Sequence, residues 1–527
     1  METQQQYVLT QDTGPITRTI FGGSITTTDN TYFNELQLIL ANSSVASSVE
    51  IVGFSEMDIE RDLGGAVKDV LDNDLTAICI CLDRFLLSEF ETEEQYGERF
   101  TRFSMTRSFE GTKVPRQMKA DFKEQVEEIL LQYPDIIERN IVLVDDGLFT
   151  GGTVNDLIRI LVEFGLQKNI SKVIGYIGNG TPALEGDLDV QIIEQIQNLY
   201  DWIDIRDFGI FGGKKLGAGR KNLVASSVPY IAPWSDGKPA SLDQSPEFFR
   251  ISAEMLMSQK NLIQEYERTL DEELTFRDLV KLGFSLPTNP EKSIPISIND
   301  SVGGYINRCI ELIKKEEERS VVIMDMDGTL YNLDGDAGGY NNSSLESMVN
   351  KNALNFIVDI EGCSVEEAET IFKEAKTYQI GSSEFFSARY GISREKYFNR
   401  VWDINPLGIV ETEQALIEEI IKLSGGEFGS KKVKLVLLTS APRIWLESVL
   451  LSLNLEDAFE IQISGEEYGS KEEIFQLFAG RYKPENILSI GDQENSDIIP
   501  GRNCGLNTIQ VSGVKDTVKI LKNLYND

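Results

Sequence analysis

From residue 50 onward the chain alternates short continuous apolar runs with longer segments whose apolar residues recur every three or four positions. EIVGFS (50–55) reads as a strand and ERDLGGAVKDVL (60–71) as a helix. LTAICICLD (75–83) is a second strand, ADFKEQVEEILLQY (120–133) a helix, NIVLVDD (140–146) a strand, TVNDLIRILVEFG (153–165) a helix and SKVIGYIG (171–178) a strand. Strands this apolar are buried on both faces, and their alternation with helices predicts a parallel sheet covered on both sides. Ligand sites in such folds lie beyond the carboxyl ends of the strands, which is where Asp145 and Asp146 fall.

The pattern then breaks and restarts. A helical region runs from about 245 to 283, and FSLPTNPEKSIPISIND (284–300) carries three prolines without periodicity, the signature of a linker. SVGGYINRCIELIKKEEE (301–318) reads as a helix and SVVIMDMD (320–327) as a buried strand. Residues 335–425 are helical in pattern; KKVKLVLLTS (431–440), ENILSIGD (485–492) and NTIQVS (507–512) return to strands. The expectation is an α/β protein of two domains, 1–283 and 301–527, joined by a linker at 284–300. The second has a helical insertion at about 335–425, after its first strand.

Composition narrows the chemistry. The 527 residues are 41% hydrophobic, enough for a core in each domain, and carry a formal net charge of −35. That charge opposes binding to a nucleic-acid backbone, which needs a basic face. With 0 histidines, Ser-His-Asp and Cys-His triads and histidine-based zinc sites are excluded. Acid–base work falls to Asp, Glu, Lys or Tyr, and a metal held by oxygen points to Mg²⁺. The five cysteines, Cys79, Cys81, Cys309, Cys363 and Cys504, form no paired CxxC motifs and read as reduced thiols. Cys79 and Cys81 alternate along one strand and should face the same side as small hydrophobes. The N-terminus lacks a basic region followed by an apolar one, and no apolar stretch is long enough to span a bilayer. The expectation is a soluble cytoplasmic protein with no membrane partner.

Two strands end in paired carboxylates followed by a turn rich in Gly and Thr. The first, VLVDDGLFTGGT (142–153), can wrap the backbone N–H groups and hydroxyls of Thr150, Gly151, Gly152 and Thr153 around a phosphate at a helix N-terminus. It resembles the phosphoribosyl pyrophosphate (PRPP) signature of type I phosphoribosyltransferases. The resemblance implies that Thr150–Thr153 hold the 5′-phosphate and that Asp145 and Asp146 face the ribose hydroxyls. IVGFSE (51–56) with the arginine-rich stretch after it also resembles the divergent phosphoribosyltransferases of bacterial tellurium-resistance and stress gene clusters. By that likeness the SEMD turn (55–58) lies near pyrophosphate. The stretch 84–119 concentrates Arg99, Arg102, Arg107, Lys113, Arg116 and Lys119. It is either a solvated surface or a loop that closes over a phosphorylated substrate.

The second, VVIMDMDGTLY (321–331), matches the first motif of the haloacid-dehalogenase-like (HAD) hydrolases, and three further motifs follow in order. The resemblance makes Asp325 the nucleophile and Asp327 the proton donor. It also gives Thr439 and Lys471 the phosphoryl group to hold, Asp325, Asp327 and Asp492 the Mg²⁺ ion, and Asp497 the support of that shell. An acid at 327 favours phosphatase or phosphomutase chemistry within the family. Between Asp325 and Thr439 there is room for a helical cap, and DMDGTLYNLDGDAGG with the cap sequence looks like the pyrimidine 5′-nucleotidase type. Tyr378, Phe385, Phe386, Tyr390, Tyr397, Phe398 and Trp402 recur near helical spacing and read mainly as cap core. Tyr331 and Asn332 are expected to line the entrance.

Together the two resemblances imply a bifunctional enzyme: PRPP-dependent phosphoribosyl transfer to or from a base-like acceptor, and Mg²⁺-dependent hydrolysis of a nucleotide or sugar phosphate. The other reading is a HAD phosphatase regulated by a non-catalytic PRPP- or nucleotide-binding domain. Partners are then small phosphorylated substrates, and a homodimer is expected because phosphoribosyltransferases are often dimers.

Overall fold

The computed structural model describes residues 4–13, 27–83, 86–87, 89–93, 95–107, 113–115, 120–186, 188–216, 226–232, 234–235, 237–243, 245–282, 284–288, 296–335, 339–378, 382–425, 427–428 and 431–524. The chain divides into two compact units, Met1–Ile313 and Lys314–Asp527. The division falls inside the helix Val302–Glu317, after the stretch read as a linker.

In the first unit the main strands are, in chain order, β1 (Gln5–Thr10), β2 (Val49–Phe54), β3 (Ala77–Cys81), β4 (Phe100–Arg102), β5 (Asn140–Leu148), β6 (Ile170–Gly178), β7 (Asp189–Gln195) and β8 (Leu199–Asp204). Five of them form a parallel sheet of order β4-β3-β5-β6-β7, with the Asp145–Asp146 strand at its centre. Its two faces are both apolar. Cys79, Cys81, Val142, Val144 and Ile174 pack with the helix Glu56–Asn73 on one side. Ile78, Ile80, Ile141, Leu143 and Val173 pack on the other, with Val126 and Ile129 of the helix Phe122–Gln132 and Leu157 and Leu161 of the helix Gly152–Glu163. The two cysteines do share a face, and both are fully buried.

The strand at 50–55 departs from the expected single sheet. β2 pairs in parallel with β1, and β1 with β8, giving a separate three-stranded sheet of order β8-β1-β2. Its partners come from residues 5–10 and 199–204, which alternation between 50 and 178 does not reveal. Ser55 and Asp58 are used locally: the Ser55 hydroxyl accepts the Asp58 N–H at 3.2 Å and caps the helix Glu56–Asn73.

In the second unit β9 (Ser320–Met324), β10 (Lys431–Leu438), β11 (Ile461–Ile463), β12 (Ile487–Gly491) and β13 (Asn507–Gln510) are parallel neighbours in the order β11-β10-β9-β12-β13. A short antiparallel strand, Glu427–Phe428, is also paired to β10. Register aligns Met324 with Leu437 on one side and with Ile490 on the other. The residues that follow these positions therefore emerge side by side at one edge of the sheet. Between β9 and β10 the described residues form five helices, Ser344–Glu361, Val365–Lys376, Ser382–Tyr390, Arg394–Val401 and Gln414–Ser424; the second and fourth pack on the first, and the third packs on the second and fourth. Their aromatic residues pack on one another: Phe386 stacks on Tyr397 at 4.8 Å, Phe356 meets both edge-on, and Tyr378 meets Phe385 at 5.6 Å. Phe385, Phe386 and Tyr397 therefore share one core, as their near-helical spacing predicts. Among the described residues no helix is long and apolar enough to cross a membrane.

Candidate functional site

The carboxylate edge of the second unit is assembled from four separate segments. Asp325 follows β9, and its N–H donates to the Ile490 carbonyl at 2.9 Å, which seats it beside the end of β12. Thr439 follows β10, with its N–H on the Ile463 carbonyl at 3.0 Å. Lys471 opens the helix Lys471–Arg481. Its ammonium lies between two carboxylates, 2.5 Å from Asp325 Oδ1 and 2.6 Å from Asp497 Oδ1, in a pocket where the lysine is only 7% exposed. Burial alone pulls this ammonium down, but the two carboxylates outweigh it and hold Lys471 well above the usual lysine range. Asp325 is held well above the usual carboxylate range, first by burial, with Lys471 opposing.

Asp327 presents two differently engaged oxygens. Oδ1 accepts the Tyr331 hydroxyl, and Oδ2 faces Thr439 Oγ1 at 3.5 Å. Tyr331 in turn accepts the Trp445 indole N–H at 2.8 Å. Tyr331 is fully buried, and the Asn332 side chain accepts the Val514 N–H at 3.3 Å. The expectation that Tyr331 lines an entrance is thus corrected: the tyrosine, four residues after Asp327, folds back onto its carboxylate instead. Trp445 and Tyr468, whose hydroxyl donates to the Thr439 carbonyl at 2.8 Å, carried no sequence signal, because their contacts cross from other elements.

One oxygen each from Asp325, Asp492 and Asp497 lie within 4.8 Å of one another. Asp492 Oδ1 is buried and has no hydrogen-bond partner among the described residues. Burial, then the Asp497 charge, push Asp492 up to about 6. A cluster of oxygens with an orphaned buried acceptor suits a hard divalent cation. Gly328, at φ +74°, makes room for it: a Cβ there would stand 2.4 Å from Asp492 Oδ2.

The first unit has its own cavity, of about 510 Å³, beyond the end of β5. Asp145, Asp146 and the whole Thr150–Thr153 turn line it, so the predicted residues are brought together. Gly151 adopts φ +76° at the start of the helix Gly152–Glu163, a conformation that L-residues avoid. Asp145 and Asp146 are each 8% exposed. Asp146 is held well above the usual carboxylate range by burial and by the neighbouring Asp204 and Asp145 charges.

Of the basic stretch, Lys113 reaches the cavity and donates to Thr153 Oγ1 at 2.5 Å. Arg99 instead donates to the Leu71 carbonyl at 2.6 Å, and Arg102 pairs with Glu91 at 2.6 Å and the Asp83 carbonyl at 2.7 Å. Arg116, Lys119 and the Arg107 side chain lie outside the described residues. No residue of the SEMD turn lines the cavity. Sequence reasoning missed the far wall, supplied by β8 and the residues after it. Arg206, buried there, is paired with Asp12 at 2.7 Å and Asp204 at 3.0 Å and lies 3.4 Å from Asp83. Asp204 accepts Thr10 Oγ1 at 2.5 Å, and Trp202 donates to that same hydroxyl at 3.1 Å. The only available signal was IDIRDF (203–208), an acid–base alternation inside an apolar setting.

Residues 320–505 match the family model of haloacid dehalogenase-like hydrolases. Solved structures similar to this chain include the candidate HAD-hydrolase YfnB from Bacillus subtilis, bound to magnesium, at 18% identity, covering 39% of this chain and 99% of that one with a TM-score of 0.26. A candidate β-phosphoglucomutase from Thermotoga maritima is 18% identical over 39% of this chain and 99% of its own, with a TM-score of 0.23. The 2-haloacid dehalogenase from Pseudomonas syringae pv. Tomato DC3000 is 14% identical over the same shares, with a TM-score of 0.25. No curated protein matches the chain. The second unit carries a HAD-like hydrolase domain.

Proposed function

We propose that the second unit hydrolyses small phosphomonoesters, nucleotides or sugar phosphates, through a phosphoryl group carried on Asp325. The observation that carries this reading is the Lys471 ammonium held between Asp325 and Asp497 while Asp327 turns one oxygen toward Thr439. An anionic carboxylate approaches an anionic phosphate only when cations screen the two. Asp325, Asp492 and the Asp327 carbonyl would hold Mg²⁺, supported by Asp497, and the bound ion supplies that screening together with Lys471.

Asp325 attacks phosphorus, the ester bond breaks, and Asp327 gives its proton to the departing oxygen. Asp327, now a carboxylate, takes a proton from water, which attacks the aspartyl-phosphate and releases orthophosphate. Lys471 neutralises the nucleophile and phosphate, and Thr439 positions a phosphoryl oxygen. The four-helix cap with its aromatic core, of the pyrimidine 5′-nucleotidase type, selects the ester. Phosphate release measured over a panel of nucleotides and sugar phosphates, for the wild type and Asp325→Asn, tests the reading. Turnover of some member by the wild type and none by the variant is expected; silence of both on every member sinks it.

For the first unit we infer PRPP binding, with the 5′-phosphate on Thr150–Thr153 and the ribose on Asp145 and Asp146, and transfer to or from a base-like acceptor. Supporting it are the left-handed Gly151 at a helix N-terminus and the Lys113 ammonium on Thr153, which place donors and a cation around one end of the cavity. A fused regulatory role without transfer is the second reading. Calorimetry with PRPP followed by a pyrophosphate-release assay separates them, and loss of both signals in Asp145→Ala ties them to this cavity.

A further inference from the structure

We propose that Tyr331 and Trp445 are positioning residues that aim the proton of Asp327 at the leaving group, an inference that rests on the phosphomonoester reading above. An indole N–H donates and never accepts, so the 2.8 Å contact makes the Tyr331 oxygen an acceptor. The single hydroxyl proton of Tyr331 is then delivered to Asp327 Oδ1. These are the two partners of that hydroxyl among the described residues. Oδ1 thereby receives a short hydrogen bond, whereas Oδ2 receives only the long, 3.5 Å contact of the Thr439 hydroxyl, so the transferable proton of Asp327 belongs on Oδ2.

The fold builds this arrangement from two short segments. The turn after β9 closes with the Gly328 N–H on the Tyr331 carbonyl at 2.9 Å, which returns the tyrosine ring over Asp327. Trp445 lies in the first turn of the helix Arg443–Leu453, which begins just past Thr439. One strand-to-helix connection therefore addresses both oxygens of Asp327: Thr439 directly on Oδ2, and Trp445 through Tyr331 on Oδ1. Tyr331 and Trp445 are both fully buried, so water does not stand in for either. The cap residue Trp402 backs the indole at 6.4 Å and is itself stacked on Tyr340.

In the step concerned, a bond forms between an Asp325 oxygen and phosphorus, and the bond from phosphorus to the ester oxygen breaks. The electron pair stays on that oxygen, and the Oδ2 proton moves onto it, leaving Asp327 ionised. An alkoxide departs poorly without this proton. A nitrophenolate is stable as an anion and has little need of it. Removing the Tyr331 hydroxyl lets the carboxyl turn and shares the proton with Oδ1, so alkyl esters should suffer more than aryl esters.

The test compares kcat/KM for p-nitrophenyl phosphate and for the fastest nucleotide or sugar phosphate of the panel, in the wild type, Tyr331→Phe, Trp445→Phe and Asp327→Asn. The ratio of the two values is read, so any loss of folded enzyme cancels. Tyr331→Phe should lower the alkyl ester about 10- to 100-fold more than the aryl ester, the range expected when a hydrogen bond that orients a general acid is lost. Trp445→Phe should shift the ratio in the same direction by less, and Asp327→Asn by more. If Asp327→Asn shifts the ratio and Tyr331→Phe does not, the positioning role is overturned while the phosphatase reading stands. If the wild type turns over neither ester, the phosphatase reading has failed and this inference with it.

Discussion

Replacing Lys471 by methionine keeps most of the side-chain volume and removes one charge from a site where two carboxylates depend on it. Asp325 and Asp497 each have an oxygen within 2.6 Å of the ammonium, and all three side chains are at least nine-tenths buried. Breaking a buried pair costs about 3–5 kcal/mol, because the partner is left as an uncompensated buried charge. Here two partners are stranded, so the upper part of that range is expected. In a domain of roughly 150–250 residues each kcal/mol moves Tm by about 2–4 °C, so a loss of about 4–5 kcal/mol puts the fall in the second unit's transition at about 8–20 °C. Differential scanning calorimetry of the full chain in EDTA measures it. A divalent cation bound to the same carboxylates restores part of the missing positive charge, so millimolar Mg²⁺ should recover a fraction of the loss in the variant. The reasoning is refuted if no unfolding transition in EDTA moves by more than about 2 °C, since the carboxylates would then be stable without their cation.

Other expectations are simpler. Phosphate release should vanish in EDTA and return with added Mg²⁺; persistence in chelator would remove the metal from the reading. Gly151→Ala forces a left-handed residue to carry a Cβ, a cost of about 1–2 kcal/mol, and that Cβ would stand 2.5 Å from Leu184. The variant should therefore lose PRPP binding by calorimetry, and unchanged affinity would count against the phosphate turn. Burial pushes the Cys79 and Cys309 thiols up to about 12 and Cys81 higher still, so a thiol reagent at neutral pH should spare these three in the native protein and label all five in denaturant. Rapid labelling of Cys79 or Cys81 before unfolding would show that the strand is not buried as described.

How much was legible follows from what each feature depends on. The motif residues of the second unit were readable because each sits within a few positions of a buried strand or at a helix start, and local periodicity marks both. Register then brings them together, since residues after equivalent points on neighbouring parallel strands emerge at one edge. The turn at 150–153 was readable for the same reason. Tyr331 illustrates the limit. Its place after the DGT turn suggested an entrance, but its ring is buried and its hydroxyl donates to Asp327, because the indole N–H of Trp445, over a hundred residues on, is there to donate to the same oxygen.

The first unit shows the division most plainly. From the order of residues alone came the central strand, its pair of acids, the glycine turn and the face shared by Cys79 and Cys81, all set by interactions a few positions apart. Only the tertiary structure decided that residues 50–55 leave this sheet for one with β1 and β8. It also decided that Arg102 turns inward and that Arg206 gathers Asp12, Asp83 and Asp204 beside the cavity. Those pairings join positions up to nearly two hundred residues apart, and a charge finds such a partner only once the packed fold has excluded water from between them. No periodicity along the chain encodes that.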